Sequence, residues 1–159
     1  MRDIIGWSEG DSILAPGGSI SNMYAIIIAR HKHFPQHKQS GMVGLGKTPV
    51  LYTSKHVRSL FSLFTGIFSI LFQSHYSVKG AAASLGIGTD NVREVDVDER
   101  GRMDPEHLRK LIEDDKKKGF YPFFVNATAG TTVIGAFDPI NAIADVCQEH
   151  GIWLHIDVR

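Results

Sequence analysis

The sequence predicts an α/β domain, a mostly parallel sheet flanked by helices. Two observations carry this. Short apolar runs rich in Val, Ile, Tyr and Phe alternate along the chain with stretches of helical periodicity. The strand-like runs are also separated by helices of roughly 10–15 residues, the connection that parallel strands need and hairpins do not.

Taken in order, Pro16-Gly17-Gly18 forms a turn, and Ser19 or Ser21 caps the helix that follows. That helix, Asn22 to His33, is apolar through Met23, Ile26, Ile27 and Ala29. It ends near Phe34-Pro35, because the residue before a proline resists helical backbone. Pro49 to Thr53 is a short buried strand, and Val78 to Leu85 a helix of small residues. Asn91 to Val97 alternates with period two through Val92, Val95 and Val97, the mark of a strand. After a turn at Arg100-Gly101-Arg102, Asp104 caps a helix with Pro105 at its first position, running to Lys118 with Leu108, Leu111 and Ile112 as its inner stripe. Tyr121 to Asn126 is a strand, Pro139 to His150 a helix and Ile152 to Asp157 the last strand. No repeat of solenoid or propeller period is present.

The composition narrows the function. Of 159 residues, 43% are hydrophobic and 21% charged, enough to bury a core. Basic and acidic residues number 17 each, so there is no electrostatic case for nucleic acid or an anionic membrane. The one cysteine, Cys147, excludes an internal disulfide framework and suits a reduced, cytoplasmic setting. Met1 to Trp7 lacks the apolar run of a signal peptide. Leu60 to Phe72 is apolar and uncharged, but its length of about 13 residues is short of a membrane span.

Four groups of residues are candidates for chemistry, each with a plainer reading beside it. Pro16 to Asn22 is a Gly/Ser turn opening a helix. Amide groups at such an N-terminus bind phosphate, and the plainer reading is a simple capping turn. It is neither a GxGxxG nor a Walker loop. Asp157, in the run Trp153 to Asp157, ends an apolar strand where open α/β sheets bind ligands. There a carboxylate can hold a protonated ring nitrogen, or merely cap the next loop. Ala127 to Thr132 follows a strand, and its threonines either face a ligand at that edge or form a polar turn. Asn126-Ala127-Thr128 also spells a glycosylation sequon, to which the missing signal peptide gives little weight. His75, in Ser74 to Ser77, is either a ligand contact or a structural histidine. His31, His33, His37 and Lys38 form a basic cluster that reads as a solvated face, with a metal site as the alternative. No HExxH, CxxC or GxSxG pattern occurs.

Together these runs resemble the group II pyridoxal-phosphate decarboxylases, on the branch of glutamate decarboxylase and cysteine sulfinic acid decarboxylase. The resemblance lies in PGGSISNMYAI (16–26), SHYSVKGAAASLGIGTDNV (74–92), ERGRM (99–103), FFVNATAGTTVIGAFDPI (123–140) and IADVCQEHGIWLHID (143–157), in family order. It implies the large domain of a fold-type-I pyridoxal-phosphate enzyme, here a partial one, and the cofactor pyridoxal 5′-phosphate. By the same resemblance, His75 stacks on the cofactor ring and helps order the substrate, and Asp157 pairs with the ring nitrogen. Gly18, Ile20 and Ser21 surround the phosphate, and Thr132 lies beside the ring. The implied activity is decarboxylation of an acidic amino acid (glutamate, cysteine sulfinate or aspartate) by a cytoplasmic, homodimeric parent enzyme. The SHYS and NATAGTT runs set this apart from an aminotransferase of the same fold.

The chain departs from that family in three respects. The family's Schiff-base lysine follows the stretch that here reaches Asp157, and no lysine of this chain takes its place. The chain opens on what resembles an internal stretch of the family, without the segment that makes the dimer. His56 to Gln73 intervenes where the family runs almost directly to the His-Tyr-Ser motif. Its Phe, Leu, Ile and Ser richness is what a pyrimidine-rich tract encodes, so we read it as intron sequence translated as protein, the alternative being a lineage-specific loop. The chain is therefore expected to be an inactive fragment of a decarboxylase, the alternative being a non-enzymatic truncated isoform that binds the parent subunit, or a gene-model artefact.

Overall fold

The computed structural model describes residues 4, 6, 8–55, 73–131 and 135–158, with the side chains of 73–75 outside the described set. Residues 56–72 of the insert His56 to Gln73 therefore lie outside the described residues, as does Thr132.

The expected α/β class is what the structure shows. Its main elements are α1 (Gly18–His33), α2 (His37–Ser40), β1 (Pro49–Ser54), α3 (Gln73–Ser84), β2 (Val92–Val95), α4 (Pro105–Lys117), β3 (Tyr121–Ala129), α5 (Ile140–His150) and β4 (Trp153–Val158). The four strands form one sheet in the order β2-β1-β3-β4, and every pairing is parallel. Leu51 lies opposite Val92, Phe124 opposite Trp153, and Thr128 opposite Asp157.

Helices cover both faces, as the near-continuous apolar strands require. On one face α1 and α3 pack Ile26, Ala29, Val78, Ala81 and Ala82 against Leu51 and Phe124. On the other, α4 and α5 pack Leu108, Ile112, Ile143 and Val146 against Tyr52 and Val125. Each large aliphatic side chain buried this way contributes about 1.5–3 kcal/mol. Cys147 sits in that second layer, and burial pushes its thiol up to about 12, which suits a packing residue rather than a nucleophile.

The local signals explain most boundaries. Asp104 accepts a hydrogen bond from the Glu106 amide (2.9 Å), Pro105 opens α4, and Leu108 and Ile112 recur at one turn's spacing on its buried side. Gly151 closes α5 in the left-handed conformation (φ 66°).

Several boundaries differ from the expectation. Gly17, at φ 107°, is the N-cap of α1, and no side chain caps it, so Ser19 and Ser21 lie inside the helix. β3 runs through Ala129, so Ala127 and Thr128 are strand and not turn. The reason is tertiary: β1 and β4 flank β3, and small or polar residues become strand when both neighbours pair with them. β2 stops at Val95, and Val97 instead makes an isolated antiparallel bridge with Met103. His33 is not part of a solvated face: it packs edge-on against Tyr121 and Phe123, and burial, with the Lys32 charge adding, lowers its pKa. Among the described residues no cluster of acids, histidines or cysteines could hold a metal.

Candidate functional site

The strand order sets where a ligand site forms. From β1 the chain moves outward to β2 over the α3 face, then returns to β3 on the other side of β1 over the α4 face. The connections leaving β1 and β3 therefore depart to opposite faces, and the carboxyl ends of the strands at such a switch point are where open α/β sheets bind ligands.

Asp138 lies at the carboxyl ends of β1 and β3. Its carboxylate accepts hydrogen bonds from the amide of Thr128 (2.7 Å), the amide of Met103 (2.7 Å) and the hydroxyl of Ser54 (3.2 Å). Its own amide donates to the Thr128 carbonyl (3.0 Å). One buried acid thus ties β1, β3 and the approach to α4 together.

A buried polar cluster lies on the α1 and α3 face. Side chains two apart share a face of a strand, so Trp153, His155 and Asp157 of β4 point alike, and Asp157 is buried near the carboxyl end. Asn22, in the second turn of α1, is 1% exposed. Its amide nitrogen donates to Asp157 Oδ2 (3.1 Å) and Ser77 Oγ (3.0 Å). Its carbonyl oxygen lies 2.8 Å from His155 Nε2. The His155 ring stacks on Phe124 at 5.9 Å, and burial lowers its pKa while the Asp157 charge opposes the shift.

The same helix provides an anion-facing end. With Gly17 as an uncapped N-cap, the first hydrogen bond runs from the Ser21 amide to the Gly17 carbonyl (3.1 Å). Helix geometry then leaves the amides of Gly18, Ser19 and Ile20 without intrahelical partners. Nothing lies within 4 Å of where a Cβ would stand on Gly17 or Gly18, so the space before this end is open. A phosphate suits these donors.

Gly18, Ile20 and Ser21 lie in the first turn of α1, and Asn22, next in sequence, joins that turn to Asp157. His75 falls in α3, two residues from Ser77, with its side chain outside the described set. Asn126 is fully buried, which rules out the sequon as an acceptor in the folded chain, and neither polar atom of its carboxamide has a hydrogen-bond partner. Asn22, Ser77 and His155 lie within the candidate runs but were given no role of their own there, and Asp138 was not singled out. Asn22 carried a signal: it shares the buried stripe of Ile26 and Ala29, where a polar residue is out of place unless it has partners.

Comparison with known proteins decides the family. Residues 1–158 match the pyridoxal-dependent decarboxylase conserved domain. The chain belongs to this family. It is 55% identical over 157 residues to glutamate decarboxylase of Drosophila melanogaster and 50% identical over 157 residues to human cysteine sulfinic acid decarboxylase. Each match covers 99% of this chain and 28% of the relative, so the chain spans little more than a quarter of the curated relatives it matches. The crystal structure of mouse CSAD superposes with a TM-score of 0.83 at 48% identity, covering 98% of this chain and 29% of that one. The sheet and its flanking helices are thus part of the fold-type-I architecture of these decarboxylases.

Proposed function

We propose that this segment supplies the ring-nitrogen and phosphate contacts of pyridoxal 5′-phosphate in an enzyme that decarboxylates an acidic amino acid. The single observation that carries the reading is the joining of two cofactor-suited sites by one helix. The uncapped end of α1 offers amides to a phosphate, and four residues beyond its start Asn22 grips the buried carboxylate of Asp157. The donor set fits the group: an acid buried at the strand ends for a protonated ring nitrogen, and free amides with open space before them for a dianion.

When bound, the cofactor supplies an electron sink that lets a carboxylate leave as carbon dioxide. The residues of this chain bind and orient it. Asp157 holds a proton on the ring nitrogen by ion pairing, which keeps the ring electron-poor. Gly18, Ser19 and Ile20 fix the phosphate, with the Ser21 hydroxyl exposed beside them. We assign His75 to the ring face and Thr132 to the ring's flank by their match to the family motif. The relatives support an acidic substrate, since the similar proteins bear the names of glutamate and cysteine sulfinic acid decarboxylases. We further propose that the parent enzyme is a homodimer.

The test is release of labelled carbon dioxide from carboxyl-labelled glutamate, cysteine sulfinate and aspartate by the full protein reconstituted with cofactor. We expect release from at least one of the three, lost in Asp157→Ala. Release from none, or release untouched by Asp157→Ala, would overturn the reading.

A further inference from the structure

We propose that Asn22 is a positioning residue for Asp157, its carboxamide locked by the His155 imidazole and the Ser77 hydroxyl so that the carboxylate is held in one rotation toward the ring nitrogen. The proposal rests on the cofactor reading above and deepens it.

A carboxylate accepts hydrogen bonds and does not donate them. The Asn22 atom 3.1 Å from Asp157 Oδ2 must therefore be the amide nitrogen, which settles which way the carboxamide points. Its two N–H groups then go to Asp157 and to Ser77 Oγ, at 3.1 and 3.0 Å. Its oxygen is left facing His155 Nε2 at 2.8 Å. That oxygen can only accept, so Nε2 must carry a hydrogen. His155 is thereby fixed as its Nε2–H tautomer by a chain of constraints that begins at Asp157.

Packing holds each member in place. Asn22 is 1% exposed, and its neighbours on the same helix stripe, Ile26 and Ala29, are fully buried. The His155 ring is stacked on Phe124, tilted by 26°. Ser77 comes from α3, which packs beside α1. A carboxylate with one oxygen tied to a rigid donor loses freedom about its terminal torsion, which is otherwise broad. Three elements of the fold thus converge on the orientation of one acid, and none of Asn22, Ser77 and His155 needs to touch the cofactor to do so.

Two readouts test this on the full chain. The ring-nitrogen chemical shifts of His155 report where its proton lies, and we expect Nε2 in the native protein and loss of that preference in Asn22→Leu. The second uses 4′-deoxypyridoxine 5′-phosphate, which keeps the ring nitrogen and the phosphate but has no aldehyde. Asn22→Leu should bind it about tenfold more weakly, the scale of one hydrogen bond to a charged group. The bound probe's absorption, which separates protonated from neutral ring nitrogen, should also lose the protonated form at lower pH than in the native chain. A merely structural asparagine would lower stability and leave that ring-nitrogen titration where it was. If Asn22→Leu does not fold, His155→Phe keeps the ring stacked on Phe124, removes the Nε2–H and should shift the probe titration in the same direction. A proton on Nδ1 of native His155, or an unchanged probe affinity and titration in the variant, overturns the proposal alone. Failure of the native chain to bind the probe overturns the cofactor reading and the proposal with it.

Discussion

Replacing Asp138 by alanine removes one acceptor from three donors at once, and the structure allows the cost to be worked out. The two amide bonds, from Thr128 and Met103, are both 2.7 Å long, short as expected for a carboxylate acceptor. Each such bond is worth about 1.5–3 kcal/mol, and the donors left behind are buried backbone groups. The Ser54 hydroxyl, partly buried at 3.2 Å, can turn elsewhere and adds little. The two amides alone give about 3–6 kcal/mol, and a water entering the space of the lost carboxylate recovers part of it. The expected loss is about 3 kcal/mol, a large share of the roughly 5–15 kcal/mol that a domain of this size commands. Asp138→Asn keeps one acceptor oxygen but turns an amide against a donor, so it should lose an intermediate amount. Urea denaturation followed by far-ultraviolet circular dichroism and by tryptophan fluorescence measures both. A loss below about 1 kcal/mol for Asp138→Ala, or an asparagine variant as stable as the parent, would refute the view that this acid ties β1, β3 and the approach to α4 together.

Other substitutions probe other parts. Tyr52 donates to Asp115 at 2.8 Å, and burial first, then that hydrogen bond, push the Tyr52 phenol up, while Arg93, which pairs with Asp115, opposes the shift. Tyr52→Phe should cost about 1–2 kcal/mol by denaturation, and Asp115→Ala more, because it strands both partners. Asn126→Val should raise stability by about 1–2 kcal/mol, since the carboxamide is buried without a partner, and a loss instead would show that the amide is used. His155 has its pKa lowered by burial from 6.5, so between that value and the lower folded one the unfolded chain binds a proton that the folded chain does not. Its contribution to stability is therefore whole above about pH 6.5 and is lost as pH falls toward the folded value. The difference in unfolding free energy between about pH 7.5 and about pH 5.5 should be smaller in His155→Phe than in the parent, and an equal or larger difference would contradict the assignment.

The sequence made α4 and α5 legible because each carries its own instructions. Asp104-Pro105 before a stripe of Leu108 and Ile112, and Gly151 after Cys147, are local signals that the fold has no reason to override. The start of α1 was missed for the opposite reason: Gly17 caps through its backbone at a positive φ, and the serines that looked like caps lie within the helix. The end of β3 was missed because Ala127 and Thr128 acquire strand conformation from β4, whose Ile156 and Asp157 pair with them across the sheet. The candidate site divides along the same line. Asp157 was readable as an acid at the end of an apolar strand. Asn22 bonds Ser77 and Asp157 across 55 and 135 residues of sequence, and such contacts come only from the packing of α1 and α3 on the sheet. Asp138 likewise gathers donors from Ser54, Met103 and Thr128, positions that no local pattern connects.

Whether Asp157 meets a protonated pyridine nitrogen is read by nitrogen NMR of cofactor labelled with nitrogen-15 in its ring and bound to the protein. We expect a protonated ring nitrogen in the native protein near neutral pH and a neutral one in Asp157→Ala. A neutral ring nitrogen in the native protein, or a protonated one that survives loss of Asp157, would contradict it.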